Sequence, residues 1–312
     1  MKLSIIIVSF NTKDVLDECI SSIIESNTKS HYEIIVVDNA SHDGSVEMLE
    51  EKYSNVKLVK NKENRLFAIA NNQGAKIAKG EYLLLLNSDT LVYNDNIDKL
   101  VQYMDEQDKR IICVGPKILN GDKTLQSQGM SDMSPISAFF QYFKIEKLLP
   151  TFIGKRVCPR VGTYPWNCDI PHEVGWVSGC AMLIRRKEYM LLGGLNENLE
   201  FYGEEPEFSY RSKRKGFLTY YYPHAEIVHL GGYSTPKKTE SKENQDISLR
   251  RYTKLVELTI GYKKAILVSR IVIISCYLKY IFVRNKKVLL DRIRDDRRVI
   301  KLFKKLKNKD TK

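Results

Sequence analysis

Residues 81–90 read Glu-Tyr-Leu-Leu-Leu-Leu-Asn-Ser-Asp-Thr. The leucine run lacks the in-out alternation of a strand with one wet face, so it predicts a strand covered on both sides, as in a parallel sheet flanked by helices. The run ends in Asn87, Ser88 and Asp89. Open parallel sheets hold ligands at the carboxyl ends of their strands, so this polar cluster is where a metal and a phosphate would meet a backbone anchored in the core.

The preceding sequence repeats that design. Lys2–Phe10, Tyr32–Asn39 and Val56–Asn61 read as strands, and helical patterns over Asp14–Ser26, Ser45–Tyr53 and Phe67–Ala78 alternate with them. In the first helix Val15, Leu16, Cys19, Ile20, Ile23 and Ile24 share a stripe, with Asn11 or Thr12 as cap. Alternating strands and helices with short connections predict an α/β fold with a mostly parallel, doubly wound central sheet. A helix at Asn96–Gln107 and a strand at Ile111–Leu119 follow, and regularity then fails from about Asn120 to Val174. Long irregular insertions in α/β domains carry binding loops. Order returns with Gly175–Ile184, helices over Arg186–Leu192 and Glu204–Lys215, and a strand at Phe217–Tyr222.

Charge is divided unevenly along the 312 residues. Residues 237–312 hold 23 Lys/Arg against 8 Asp/Glu, whereas residues 1–236 hold 27 against 30. The net charge of +12 therefore belongs to the tail. A nucleic-acid enzyme spreads cations around its cleft, so the slightly acidic body argues against a nucleic-acid partner. The sequence predicts a catalytic domain over 1–236 and a basic helical extension over 237–312. Ala265–Val283 approaches spanning length but carries Arg270 and Lys279, which disfavours a span. In Val288–Lys309 a stripe of Leu289, Ile293, Ile300, Phe303 and Leu306 among cations predicts a basic amphipathic helix on an anionic membrane surface. A soluble dimerising helix is the alternative, which leaves a homodimer open. Cys19, Cys113, Cys158, Cys168, Cys180 and Cys276 form no C-x-x-C pair and read as reduced thiols of a cytosolic protein. The N-terminus has no small-residue cleavage site, so a cleaved leader is not expected.

Several segments together resemble the family 2 glycosyltransferases of the GT-A fold, in particular their rhamnosyltransferase-like bacterial branch. They are Val8–Asn11, Val36–Ser45, Phe67–Gly74, Leu83–Thr90, Val177–Ala181, Phe201–Arg211 and His229–Ser234, and they fall in the family's order over residues 1–236. The resemblance implies inverting transfer of a sugar, with rhamnose as donor sugar, from a dTDP- or UDP-sugar to a saccharide acceptor. It also implies a lipid-linked acceptor, surface polysaccharide synthesis, and a place at the inner face of the membrane.

It further implies roles for single residues. Asp89 matches the metal carboxylate of an Asp-x-Asp motif whose first Asp is here Asn87, and His229 matches a histidine near the metal or diphosphate, with Mg2+ or Mn2+ as cofactor. Asp38 matches the residue that accepts the N3–H of a pyrimidine. Ser9, Asn11, Asn72, Asn87 and Ser88 fall on the nucleotide-sugar side. Glu205 matches the general base, with Glu204 as its rival, because relatives carry Glu-Asp where this chain has Glu204-Glu205. Leu66 stands where relatives carry Gly. Each residue also has a plainer role open to it. Asp89 can cap a turn, His229 can be a satisfied strand-end histidine, and acidic residues favour any helix start. Asn72 can bridge the fold, Ser45 can cap a helix, and Arg211 can pair with an acidic neighbour. Tyr164, Trp166 and Trp176 can pack rather than stack on a sugar. Two other classes remain: a sugar nucleotidyltransferase, whose glycine-rich basic loop is missing at Ser9–Thr12, and a nucleic-acid-binding protein.

Overall fold

The computed structural model describes residues 1–127, 129–132, 134–144, 169–199, 203–231, 242–280 and 286–309. Phe201, Tyr202, Tyr164, Trp166, Cys158, Cys168 and residues 232–234 lie outside them. The chain divides into two compact units, Met1–Met130 with Cys168–Glu240, and Ser131–Asn167 with Ser241–Lys312.

In the first unit the apolar runs become strands as their patterns dictate. β1 (Leu3–Ser9), β2 (Tyr32–Asp38), β3 (Lys57–Lys60) and β4 (Tyr82–Asn87) pair in parallel in the order β3-β2-β1-β4. Leu83–Leu86 are buried on both faces between α1 (Lys13–Glu25) and α2 (Ser45–Lys52) on one side and α3 (Leu66–Ile77) on the other. β5 (Thr90–Val92), α4 (Asn96–Glu106), β6 (Ile111–Leu119) and the short β7 (Leu125–Ser127) follow. β8 (His172–Val174), β9 (Ala181–Arg185), α6 (Arg186–Leu191), α7 (Glu204–Arg214) and β10 (Leu218–His229) complete this unit. The path continues β4-β9-β6-β10-β5, with β9 antiparallel to both neighbours and β6 parallel to β10. The mixed α/β class is as the sequence predicts.

Three elements differ from expectation. β10 runs past Tyr222 to His229, absorbing a register shift between Tyr222 and Glu226. α1 is capped from the next loop: Lys13 N–H donates to Asp43 Oδ2 at 2.8 Å, while Thr12 makes no cap bond. The stretch 120–174 is not wholly irregular, for it holds β7, β8 and a helix, α5 (Pro135–Phe143). That helix starts with Pro135 behind Ser134, whose Oγ accepts from Ser137 N–H.

The second unit contains α5, α8 (Lys242–Leu258), α9 (Gly261–Tyr280) and α10 (Lys286–Lys309). Phe303 packs with Val256, Ala265 and Ile266, while Ile293 packs with Val272 and Cys276. Leu289, Ile300 and Leu306 join the same clusters. The apolar stripe of α10 is thus consumed by its sister helices, which corrects the expectation that it faces lipid. No helix among the described residues is long and apolar enough to cross a membrane.

Candidate active site

The carboxyl ends of β1, β2 and β4 fall level because the strands pair in register, Ser9 opposite Asp38 and Val8 opposite Asn87. Three site residues are brought together by this alone. A hydroxyl chain crosses the strand ends: Thr12 Oγ1 lies 3.0 Å from Ser9 Oγ and donates to Ser88 Oγ at 3.0 Å. All three side chains are buried.

Asp38 is 1% exposed. Its Oδ2 accepts from Ser41 N–H at 2.9 Å, the plain turn role, but its Oδ1 is buried with no hydrogen-bond partner. A buried carboxylate oxygen left unsatisfied is costly, so it marks a place prepared for a donor. Asn11, at a φ of 54°, is occupied differently. Its Oδ1 accepts from His42 N–H at 2.8 Å, and its own N–H donates to Ser41 Oγ at 2.9 Å, so it stitches the loop after β1 to the loop after β2.

Asp89 follows β4 and is brought against the far end of β10 because β5 pairs antiparallel with that strand, Thr90 opposite His229. Leu230 N–H donates to Asp89 O at 2.9 Å. His229 Nε2 then lies 3.1 Å from Asp89 Oδ1 and 3.3 Å from Asn87 Nδ2. The other ring nitrogen is 2.7 Å from Gln126 Oε1, while Gln126 Nε2 donates to His229 O at 2.9 Å and to Asn120 Oδ1 at 2.8 Å. With the amide oriented by those two bonds, Nδ1 is the donating nitrogen, and in the neutral ring Nε2 presents a lone pair. That lone pair faces Asp89 Oδ1, which is buried without a hydrogen-bond donor of its own.

Two acceptors at contact distance are reconciled by a proton on Nε2 or by a bound cation, and for a divalent metal the pair offers one nitrogen and one oxygen ligand. Among the described residues no group of three His, Cys, Asp or Glu side chains is gathered to hold an ion. The remaining coordination positions would fall to phosphate oxygens and water, as is usual for Mg2+.

Glu205 sits in the first turn of α7, entered through Gly203 at a φ of 115°, which only glycine adopts readily. Gly179 N–H donates to Glu205 Oε1 at 3.1 Å. The same loop reaches the end of β4, since Asn87 N–H donates to Cys180 O at 3.0 Å. A Cβ built on Gly179 would collide with the Glu205 carboxylate as it is placed, so a side chain at 179 would push that carboxylate aside. Burial pushes the Glu205 carboxyl up from the ordinary range, against the backbone N–H of Gly179 and a hydrogen bond with Glu204. A helix N-terminus favours a carboxylate, and here desolvation outweighs it. Glu204 is itself buried.

Asn72 is used otherwise than expected. Its Nδ2 donates to Leu195 O and Glu197 Oε1, both at 2.9 Å, and its Oδ1 accepts from Tyr189 Oη at 2.6 Å and Leu195 N–H at 3.0 Å. Both donors and both acceptor positions are filled within the fold, which leaves nothing for a nucleotide. Arg211 pairs with Glu207 at 2.9 Å, as the acidic-neighbour reading has it, and also binds Leu192 O and Gly194 O. Leu66, at a φ of 63°, adopts the left-handed conformation that favours glycine, the residue the resemblance implies at this position. Gln126 and Gly179 had no sequence signal of their own: the resemblance included Gly179 only as part of Val177–Ala181, and Gln126 lies on a short hairpin strand.

The model of the family described as "Glycosyl transferase family 2" matches residues 4–161, half of the chain. An uncharacterized glycosyltransferase, YfnE of Bacillus subtilis, is 32% identical over 115 residues, 36% of this chain and 29% of the relative. The N-acetylglucosaminyl-diphospho-decaprenol L-rhamnosyltransferase of Mycobacterium tuberculosis is 22% identical over 262 residues, 77% of this chain and 79% of that one. The crystal structure of GalNAc-T7 with UDP, GalNAc and Mn2+ superimposes with a TM-score of 0.62 at 20% identity, over 94% of this chain and 54% of that one. The chain thus spans less than a third of the first relative and about half of the solved structure. The superposition shows a shared GT-A fold.

Proposed function

The chain belongs to glycosyl transferase family 2, and from that premise we propose that it transfers a sugar, with inversion at the anomeric carbon, from a dTDP- or UDP-sugar to a saccharide. Rhamnose as the sugar, and a lipid-linked saccharide as the acceptor in bacterial surface polysaccharide synthesis, draw support from the Mycobacterium tuberculosis relative named for that chemistry. A lipid-linked acceptor would in turn bring the enzyme to the inner membrane surface.

The observation that carries the reading is the meeting of Asp89 and His229 at the end of β4, with the Gly179–Cys180 loop fixing Glu205 to the same strand end. Asp38 Oδ1 accepts the N3–H of the base. Ser9, Asn87 and Ser88 line the strand ends where the diphosphate lies. Asp89 and His229 would hold Mg2+ or Mn2+, which supplies Lewis-acid neutralisation of the departing diphosphate. Glu205, held by Gly179, accepts the proton of the acceptor hydroxyl as that oxygen bonds to the anomeric carbon, and the bond to the diphosphate breaks with its electron pair leaving on phosphate. A carboxyl raised by burial is the stronger base for this step.

Incubation with UDP- and dTDP-sugars, Mn2+ and a lipid-linked saccharide tests the reading. Release of free nucleoside diphosphate with an inverted anomeric signal by NMR is expected. Release of pyrophosphate would make the chain a nucleotidyltransferase. Steeply salt-dependent nucleic-acid binding without donor binding would overturn the reading altogether.

A further inference from the structure

α9 carries apolar side chains on every side, interrupted by Arg270 and Lys279, yet only one side of it is packed. Ala265, Ser269, Val272 and Cys276 face the core of the helical unit. On the opposite side Leu267, Ile274 and Leu278 remain 47%, 53% and 55% exposed, and with the half-buried Ile271 they follow an i, i+4, i+7, i+11 ridge about 16 Å long. Packing one side of such a helix leaves apolar side chains of the other side uncovered. An uncovered apolar ridge on a charged protein marks an interaction surface.

Arg270 flanks this ridge, and Lys263 and Lys264 stand one turn before Leu267. None of the three has a carboxylate partner among the described residues. We propose that this outer face of α9, and not the stripe of α10, is a docking surface for an anionic lipid bilayer, with the ridge entering the acyl boundary and the three cations meeting lipid phosphates. A second copy of the chain fits the face less well. An isologous contact across so narrow a ridge would set unpaired cations against their own copies. Nucleic acid would leave the apolar ridge uncovered. The inference rests on the proposed function only for its purpose, delivery of the enzyme to a lipid-linked acceptor.

Flotation of the full chain with vesicles decides it. Binding to phosphatidylglycerol-containing vesicles and not to pure phosphatidylcholine is expected, with loss of about tenfold or more in partitioning for Leu267→Glu/Ile274→Glu. Ile24→Glu, on an exposed apolar side chain of the catalytic unit, should partition as the parent does. The double variant should keep the parent's thermal shift with UDP-sugar and Mn2+, so failure of docking is read apart from failure of donor binding. Should that variant not fold, Leu278→Trp gives a second measurement: its added fluorescence is quenched by brominated acyl chains when the face enters lipid. Equal partitioning of the variant and parent, no quenching, or a dimer in solution that Leu267→Glu/Ile274→Glu splits would each overturn the proposal.

Discussion

His229 Nε2 stands 3.1 Å from Asp89 Oδ1 while the same imidazole is tied at 2.7 Å to Gln126 Oε1. The second contact gives the first its meaning. A neutral ring that donates through Nδ1 turns the lone pair of Nε2 toward Asp89, and the proposed metal site takes its nitrogen and its oxygen from these two atoms.

Asp89→Ala therefore removes the charged half. Mn2+-dependent UDP binding should weaken by about a hundredfold, while binding in EDTA stays near the parent's value. Isothermal titration with and without metal separates the two, and equal loss in both would assign Asp89 to structure alone.

Gln126→Leu leaves Asp89 and His229 in place but frees the ring to rotate and to change tautomer. Mn2+ affinity in the presence of UDP, read by EPR, should fall about 10- to 100-fold. Gln126→Glu, which still accepts the Nδ1 proton, should restore it; a purely packing role would not distinguish Leu from Glu.

Glu205→Gln keeps the Gly179 bond and removes the proposed base. Turnover should fall by about 10²- to 10⁴-fold with donor affinity retained. The parent's acid limb in kcat/KM should lie above the ordinary glutamate value of about 4.3, because burial raises this carboxyl. The stability effect has the opposite sign from a salt-bridged acid. A folded-state value above the unfolded one means the fold binds the extra proton, so stability falls as pH rises through that window. Glu205→Gln should accordingly melt higher than the parent at neutral pH and converge with it near pH 4. Melting curves across that range check it, and a lower melting point at neutral pH would contradict it.

Leu66 keeps a left-handed backbone at a site more than a third exposed. Leu66→Gly should raise unfolding free energy by about 1 kcal/mol, since the left-handed conformation costs a side-chain-bearing residue 1–2 kcal/mol and glycine's extra chain entropy returns only part of that. A shift of the denaturation midpoint at unchanged slope would be the sign of it.

Legibility in the sequence followed distance along the chain. The level ends of β1, β2 and β4, and with them Ser9, Asp38 and Asn87, were readable because buried strands in βα units leave little choice of order or direction. The Asp89–His229 meeting depends on a β5–β10 pairing across 139 residues between Thr90 and His229, and only the motif order pointed to it. Antiparallel β9, wedged between β4 and β6, left no such trace. Nor did Gln126, whose partner His229 lies 103 positions away. The bridging role of Asn72 is open in the sequence for the same reason, since a polar side chain on a buried helix announces that it will be satisfied but not by whom.

The four bonds of Asn72 have a mechanical consequence. They clamp α3, behind the nucleotide half of the sheet, to residues 189–197, and Arg211 grips 192 and 194 from the helix that carries Glu205. Glu205 and the strand ends of the nucleotide-side sheet are thereby riveted to a common girder, so in the proposed reaction the spacing between proton acceptor and anomeric carbon is set by the scaffold before either substrate arrives.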